Sequence, residues 1–347
     1  MEQSMSSLKS FAGIIPSPPI VYTDHHCTTV DFDAYREHLD FLLRHDVSAL
    51  CVGGHAGETE CLRDKERQGV IKVALEATKG RVPVIGGVVA DSTWSAIEQV
   101  QWQKEAGADG VLVCPPNIVG WDAATADAML VAHFKAIDEQ GLPFIVYGGP
   151  GDGSSCRQLP PTMEKTAREC VNLVGWKLAV RGITTGENSF ADCVSALQRA
   201  EQATGRHVAP LVAGDANLLG ALQAGAEGTI NACESVRVDA NCALFNAFKS
   251  GDIATATAIH DRHQKLGATI YGIRLGRSFT YFHYRFKIAS WMLGYIKSPY
   301  MRLPQVPPPA EEIDMLHAAL IETGMTPVHS AEEFWVPLSG GFNVAAE

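Results

Sequence analysis

Lys177 stands in an otherwise apolar run, Leu173-Val174-Gly175-Trp176-Lys177-Leu178-Ala179-Val180, where a charge is costly unless it has a use. If the run is a strand, successive side chains point to opposite faces. Val174, Trp176, Leu178 and Val180 then share one face, and Gly175, Lys177 and Ala179 share the other. Lysine is rarely buried without a partner, and desolvation lowers the pKa of an ammonium toward the neutral amine that attacks carbonyl carbon. Two readings follow: a Schiff-base-forming amine, or a strand-end lysine whose ammonium reaches solvent.

Other residues with chemical potential follow short apolar runs. Gly53-Gly54-His55-Ala56-Gly57-Glu58 comes after one, Cys114-Pro115-Pro116-Asn117 after another, and Tyr147-Gly148-Gly149-Pro150 closes a third. A phenol beside an amine can move the protons that imine formation requires, so Tyr147 reads either as acid/base or as a hydrogen-bonded aromatic at a strand end. His55 reads as a proton relay or ligand, or as a cap on the segment that follows. Gly53, Gly54 and Gly57 serve backbone geometry and close substrate approach, and Glu58 reads as an acceptor that shapes the loop. Asn117, Asp152 and Asn231 are candidate pocket liners.

Asp24-His25-His26-Cys27 contains metal-ligand types, but adjacent histidines on an extended segment point apart and no second cluster completes a set. A solvated loop is expected there, with no metal. The glycine-rich stretch 148–153 lacks the lysine and Ser/Thr of a phosphate-binding loop and reads as an active-site loop.

The elements that must position these residues alternate along the chain. Strands are expected at 13–15, 49–52, 83–86, 110–113, 144–147, 173–178, 210–213 and 228–231. Helical spacing of apolar residues occupies 35–44, 64–78, 93–106, 123–139, 161–169, 190–203 and 217–225. Turns such as Ala106-Gly107 and Ala224-Gly225 end a helix with glycine. Eight such units close most simply as an α/β fold, a (β/α)8 TIM barrel over 11–236. Helices at 241–249, 253–266, 280–293 and 311–323 form an appended C-terminal region over 237–325, and 326–347 reads as a loosely packed tail. Barrel active sites lie at the carboxyl ends of the strands, which brings Tyr147 and Lys177 together from neighbouring strands.

Bulk properties exclude several classes. The 347 residues are 46% hydrophobic and 19% charged, ordinary for a globular chain. A net charge of −11 without a basic cluster argues against nucleic acid and anionic membrane as partners. No apolar stretch nears the ~20 residues of a membrane span. The start Met1-Glu2-Gln3-Ser4-Met5 lacks the pattern of a signal peptide, so a cytoplasmic location is expected. Nine dispersed cysteines with no C-x-x-C pair suggest reduced, mostly buried thiols.

Gly54-His55-Ala56-Gly57-Glu58, Tyr147-Gly148-Gly149-Pro150 and Gly175-Trp176-Lys177, in that order and spacing, resemble the dihydrodipicolinate synthase and N-acetylneuraminate lyase superfamily of class I aldolases over roughly residues 11 to 300. Gly228-Thr229-Ile230-Asn231 resembles that family's eighth strand, placing Ile230 and Asn231 at the substrate pocket. The resemblance implies that Lys177 forms the imine with a 2-oxo acid such as pyruvate, that Tyr147 is the acid/base, and that the protein is a homotetramer working without a cofactor. Departures accompany it: His55 and Ala56 replace two hydroxyl residues, Pro116 and Asn117 replace an aromatic pair, and Asp152 falls near the position where the family's lysine-pathway synthase carries its substrate-binding arginine.

The resulting expectation is a metal-independent aldolase or dehydratase distinct from an authentic dihydrodipicolinate synthase, acting on another carbonyl compound. Two alternatives differ in class. One is a metal-dependent aldolase or hydrolase using His25, His26, His55 and Glu58. The other is a non-catalytic barrel that binds a carbonyl metabolite.

Overall fold

Short runs of β-branched and aliphatic residues form eight strands: β1 (Gly13–Pro16), β2 (Leu50–Val52), β3 (Val84–Val88), β4 (Gly110–Val113), β5 (Phe144–Gly148), β6 (Leu173–Leu178), β7 (Ala209–Val212) and β8 (Gly228–Asn231). The computed structural model describes residues 11–116, 123–150, 158–180, 183–184, 188–272 and 282–337. Every strand pairs in parallel, in the order β1-β8-β7-β6-β5-β4-β3-β2. A backbone hydrogen bond of 2.8 Å from Ser48 N to Ile14 O bridges the remaining gap between β1 and the approach to β2. The result is the expected TIM barrel, nearly closed.

The strands lie where the sequence places them, with ends shifted by a residue or two. β3 runs on to Val88 because Gly87 carries no side chain: a Cβ there would stand 1.9 Å from the carbonyl oxygen of Gly53. The end of β2 can thus lie directly against it.

Helices α1 (Phe32–Leu42), α2 (Asp64–Thr78), α3 (Thr93–Ala106), α4 (Ala123–Asp138), α5 (Pro160–Glu169), α6 (Phe190–Thr204), α7 (Leu218–Gln223) and α8 (Glu234–Lys249) follow the strands in turn. Their starts use oxygen-bearing caps. Asp31 accepts from Ala34 N and Ser92 from Ser95 N, while Ser189 and Asp192 bond each other's backbone N–H reciprocally. Gly107, at φ 95°, closes α3 as expected. α8 begins well before the expected 241 and bends at Arg237, whose φ of −144° and ψ of 43° are not helical. Glu234, Ser235, Val236, Arg237 and Val238 are all buried there, polar and apolar alike, so apolar spacing does not mark the helical period.

The core has two parts. Inside the barrel, Ile15, Cys51, Ile85, Leu112, Ile145 and Leu211 pack together, with Phe11 buried among them. Outside it, the opposite strand faces meet the helices, as Trp176 does against Phe134 with ring centroids 6.3 Å apart.

Beyond the barrel, α9 (Ile253–Ile270), α10 (Phe282–Met292) and α11 (Ala310–Glu322) make up the appended region. Arg285 on α10 pairs with Glu312 on α11 at 2.7 Å, both fully buried, and Arg285 Nε donates to Ile270 O on α9. The expected loose tail is corrected in part: Ala331–Trp335 form α12, Phe334 is fully buried, and Trp291 stacks on His329 at 4.5 Å. Aromatic anchors supply the docking that composition alone did not suggest. Among the described residues no helix is long and apolar enough to cross a membrane.

Candidate active site

Tyr147 and Lys177 are directly opposed across the β5–β6 ladder, each one residue from the carboxyl end of its strand. The Lys177 Nζ lies 4.9 Å from the centroid of the Tyr147 ring. That separation fits a cation–π contact, with the amine against the ring that would serve it. Lys177 is 7% exposed, and burial lowers its pKa below the ordinary lysine value. The thiols of Cys51 and Cys114 and the carboxylate of Glu234 oppose that shift without reversing it.

The local chain explains how a lysine fits here. Gly175 shares its inward face, and a Cβ at Gly175 would stand 3.3 Å from Ile145 Cγ1 and 3.4 Å from Ala209 O, so glycine leaves no surplus bulk. The expected face assignment of Val174 is corrected. The β5–β6 register shifts between Phe144 and Ile145, and Val174 packs with the barrel interior while Trp176 and Leu178 remain outside. An irregular register puts two consecutive residues on one side.

His55 belongs to the turn His55–Gly57 after β2, and its ring lies 6.1 Å from that of Tyr147 at 28°. Although 43% of its side chain is accessible, surrounding protein atoms and the Lys177 charge lower its pKa, leaving the imidazole neutral at pH 7. The wet side of the ring tempers that shift without changing its sign. Its 3.6 Å approach to the Glu60 carboxylate is therefore a polar contact of a neutral ring.

His283 on α10 was missed by sequence reasoning. It meets His55 edge to face at 4.5 Å, and burial, His55 and Lys177 all hold its pKa well below the usual range. The expected helix 280–293 included it, but nothing local marked it, because only the docking of α10 on the barrel brings it to the site.

The other candidates divide. Gly53, at φ 61°, needs its glycine conformation, whereas a Cβ at Gly54 would find ordinary contacts with Leu112, Ser17 and Cys51 at 3.6–3.8 Å. The left-handed position further along is taken by Glu58, at φ 53°. Its carboxylate is 3% exposed and accepts from Lys287 Nζ at 2.7 Å, Tyr22 OH at 3.2 Å and Arg302 N at 3.2 Å, which is the loop-shaping role expected of it. Ala56 is buried in the outer apolar cluster and Ile230 in the barrel interior. Asn231, 7% exposed, accepts through Oδ1 from Ala232 N at 2.7 Å and Tyr271 OH at 3.1 Å, while its Nδ2 is buried without a partner. Asn117 and Asp152 lie outside the described residues.

His25 and His26 pack ring against ring at 3.9 Å, and Asp24 accepts from His26 N and Thr28 Oγ1, as a loop that satisfies itself. Among the described residues no group of three His, Cys, Asp or Glu side chains is placed to hold a metal ion. Glu58, one ligand of the metal-dependent alternative, is engaged by Lys287.

Comparison with known proteins bears on the chain's family and fold. The profile described as the Dihydrodipicolinate synthetase family matches residues 10–323. A 4-hydroxy-tetrahydrodipicolinate synthase of Halorhodospira halophila is 33% identical over 234 residues, 67% of this chain and 72% of that protein. That of Thermotoga neapolitana is 29% identical over 297 residues, 85% of this chain and 94% of that protein. Among solved structures, dihydrodipicolinate synthase from Aquifex aeolicus superposes with a TM-score of 0.79 at 25% identity, covering 92% of this chain and 100% of that one. YagE, a prophage protein from E. coli K12 solved in complex with pyruvate, gives 0.79 at 23% identity, covering 91% and 99%. With its eight-stranded barrel and the extent of the profile match, the chain belongs to the dihydrodipicolinate synthetase family.

Proposed function

We propose that the protein is a Schiff-base lyase of the class I aldolase type, acting on a 2-oxo acid or a related carbonyl compound. Family membership supports that reaction class in general terms. The observation that carries the reading is Lys177 itself: an amine 7% exposed, its pKa lowered by burial, 4.9 Å from the Tyr147 ring centroid.

In the proposed sequence the neutral Nζ adds to the keto carbon, and the carbinolamine loses water to give a protonated imine. Tyr147 passes a proton from the amine nitrogen to the carbinolamine oxygen, and one further proton, taken up from solvent, lets that hydroxyl leave as water and keeps the imine protonated. The iminium then accepts the electron pair released at the adjacent carbon, so a carbon–carbon bond can form or break, or a β-hydroxyl can leave as water. Asn231 offers its buried Nδ2 N–H as a donor toward the substrate.

The relatives named 4-hydroxy-tetrahydrodipicolinate synthase give no ground for setting this chain apart from that reaction. The ground lies in His55 and Ala56, which stand where the resemblance calls for two hydroxyls. We therefore infer a different carbonyl substrate. A homotetramer completes the proposal, on the family resemblance alone.

Borohydride reduction with pyruvate and a panel of 2-oxo acids and aldehydes, followed by mass mapping, tests the reading. A reduced adduct on Lys177, lost in Lys177→Ala, is expected. Ligand binding that survives Lys177→Ala with no adduct from any panel member would favour the non-catalytic alternative instead.

A further inference from the structure

Three rings stand about the Lys177 amine, and the one from α10 has no part in the chemistry described so far. Tyr147 lies under Nζ, His55 lies 6.1 Å from Tyr147, and His283 meets His55 edge to face at 4.5 Å. Phe282 continues the same wall, 3.9 Å from His283 and 5.8 Å from Tyr271. His55 keeps 43% of its side chain accessible, and Tyr147 and His283 are half-buried, so these rings border open space.

α10 also fixes how the rings sit. One turn beyond His283, Lys287 forms its 2.7 Å ion pair with Glu58, three residues after His55 on the loop. The helix therefore holds that loop at two points, one through the imidazoles and one through a buried ion pair. Around the described wall, fixed positive charge is committed elsewhere: Lys287 to Glu58, and Arg302 to Glu66 at 2.8 Å. A second ammonium-like charge at His55 or His283 would face Lys177, and both rings are held neutral.

We propose that His283, with His55, is a specificity-determining residue that receives the part of the substrate remote from the imine carbon, and that this wall selects an aromatic or otherwise uncharged tail over a second carboxylate. Flat neutral rings offer edge and face contacts and one N–H donor each, which suits such a tail. A carboxylate tail would lose its hydration without gaining a cation from the described residues of this wall. The inference rests on the Schiff-base reading and deepens it.

The test traps Lys177 with borohydride in the presence of pyruvate, phenylpyruvate or 2-oxoglutarate at matched concentrations. In the wild type, phenylpyruvate is expected to be trapped at lower concentration than 2-oxoglutarate. His283→Gln removes the ring and keeps polarity, and should lower that preference, read as the ratio of phenylpyruvate to 2-oxoglutarate trapping, about tenfold. His283→Phe keeps the ring and should keep the preference. An equal response to both tails in the wild type, or an unchanged preference in His283→Gln, overturns the proposal while pyruvate trapping still upholds the Schiff base. Absence of any pyruvate adduct in the wild type overturns the Schiff-base reading, and the inference with it.

Discussion

Replacing Lys287 by Met tests whether the buried pair that ties α10 to the active-site loop behaves as charge in a low-dielectric interior. Lys287 and Glu58 are 0% and 2% exposed in their side chains, 2.7 Å apart, and Lys287 Nζ also sits 4.7 Å over the Tyr22 ring. Met keeps most of the apolar volume, so the main loss is electrostatic. The Glu58 carboxylate would remain buried with two neutral donors, Tyr22 OH and Arg302 N. Leaving one member of a buried pair uncompensated costs about 3–5 kcal/mol. At about 3 kcal/mol per molar, a slope suited to a chain of this size, the urea midpoint falls by about 1 to 1.7 M.

The double variant Lys287→Met, Glu58→Gln supplies the decisive comparison. The amide oxygen that replaces the Glu58 carboxylate can still accept from Tyr22 and Arg302, and no charge is stranded. The double change should therefore cost about 1 kcal/mol, less than either single change. Equilibrium urea unfolding of the four proteins closes the cycle. A double variant that loses as much as the two singles added together would refute the reasoning, as would a Lys287→Met protein within about 1 kcal/mol of the wild type.

Two further outcomes depend on pH. Because burial lowers the Lys177 pKa, its neutral form is populated at lower pH than that of an ordinary lysine; the basic limb of adduct formation with pyruvate should therefore fall below pH 10.5, and a limb at or above that value contradicts the assignment. His207 bridges Glu227 at 2.7 Å and Glu201 at 3.0 Å, and those carboxylates raise its pKa to about 9. Its folded pKa lies above the unfolded value, so its stabilising contribution is complete below about pH 6.5 and disappears as pH rises through about 9. Wild type and His207→Gln should thus differ in urea midpoint at pH 6 and converge by pH 10, and a difference independent of pH would count against the bridge.

Much of the architecture follows from local rules. Alternation of strand-length apolar runs with helical spacing is written into each segment separately, so the eight strands and most helices emerge without knowledge of their neighbours. The ion-bearing side chain within 173–178 is likewise a local anomaly, and Tyr147 becomes its partner once parallel order places the fifth strand beside the sixth. Pairing decided the rest. Val174 turned inward because register irregularity belongs to two strands together, and no periodicity in one of them records it. The start of α8 stayed hidden because its polar and apolar residues are buried alike, so apolar spacing does not trace the helix. His283 reached His55, and Lys287 reached Glu58, only when α10 docked on the barrel, since contacts between distant segments depend on the packing of whole elements. Sequence alone determined the amine and the barrel that carries it; the tertiary structure decided which rings stand around that amine and how they are held.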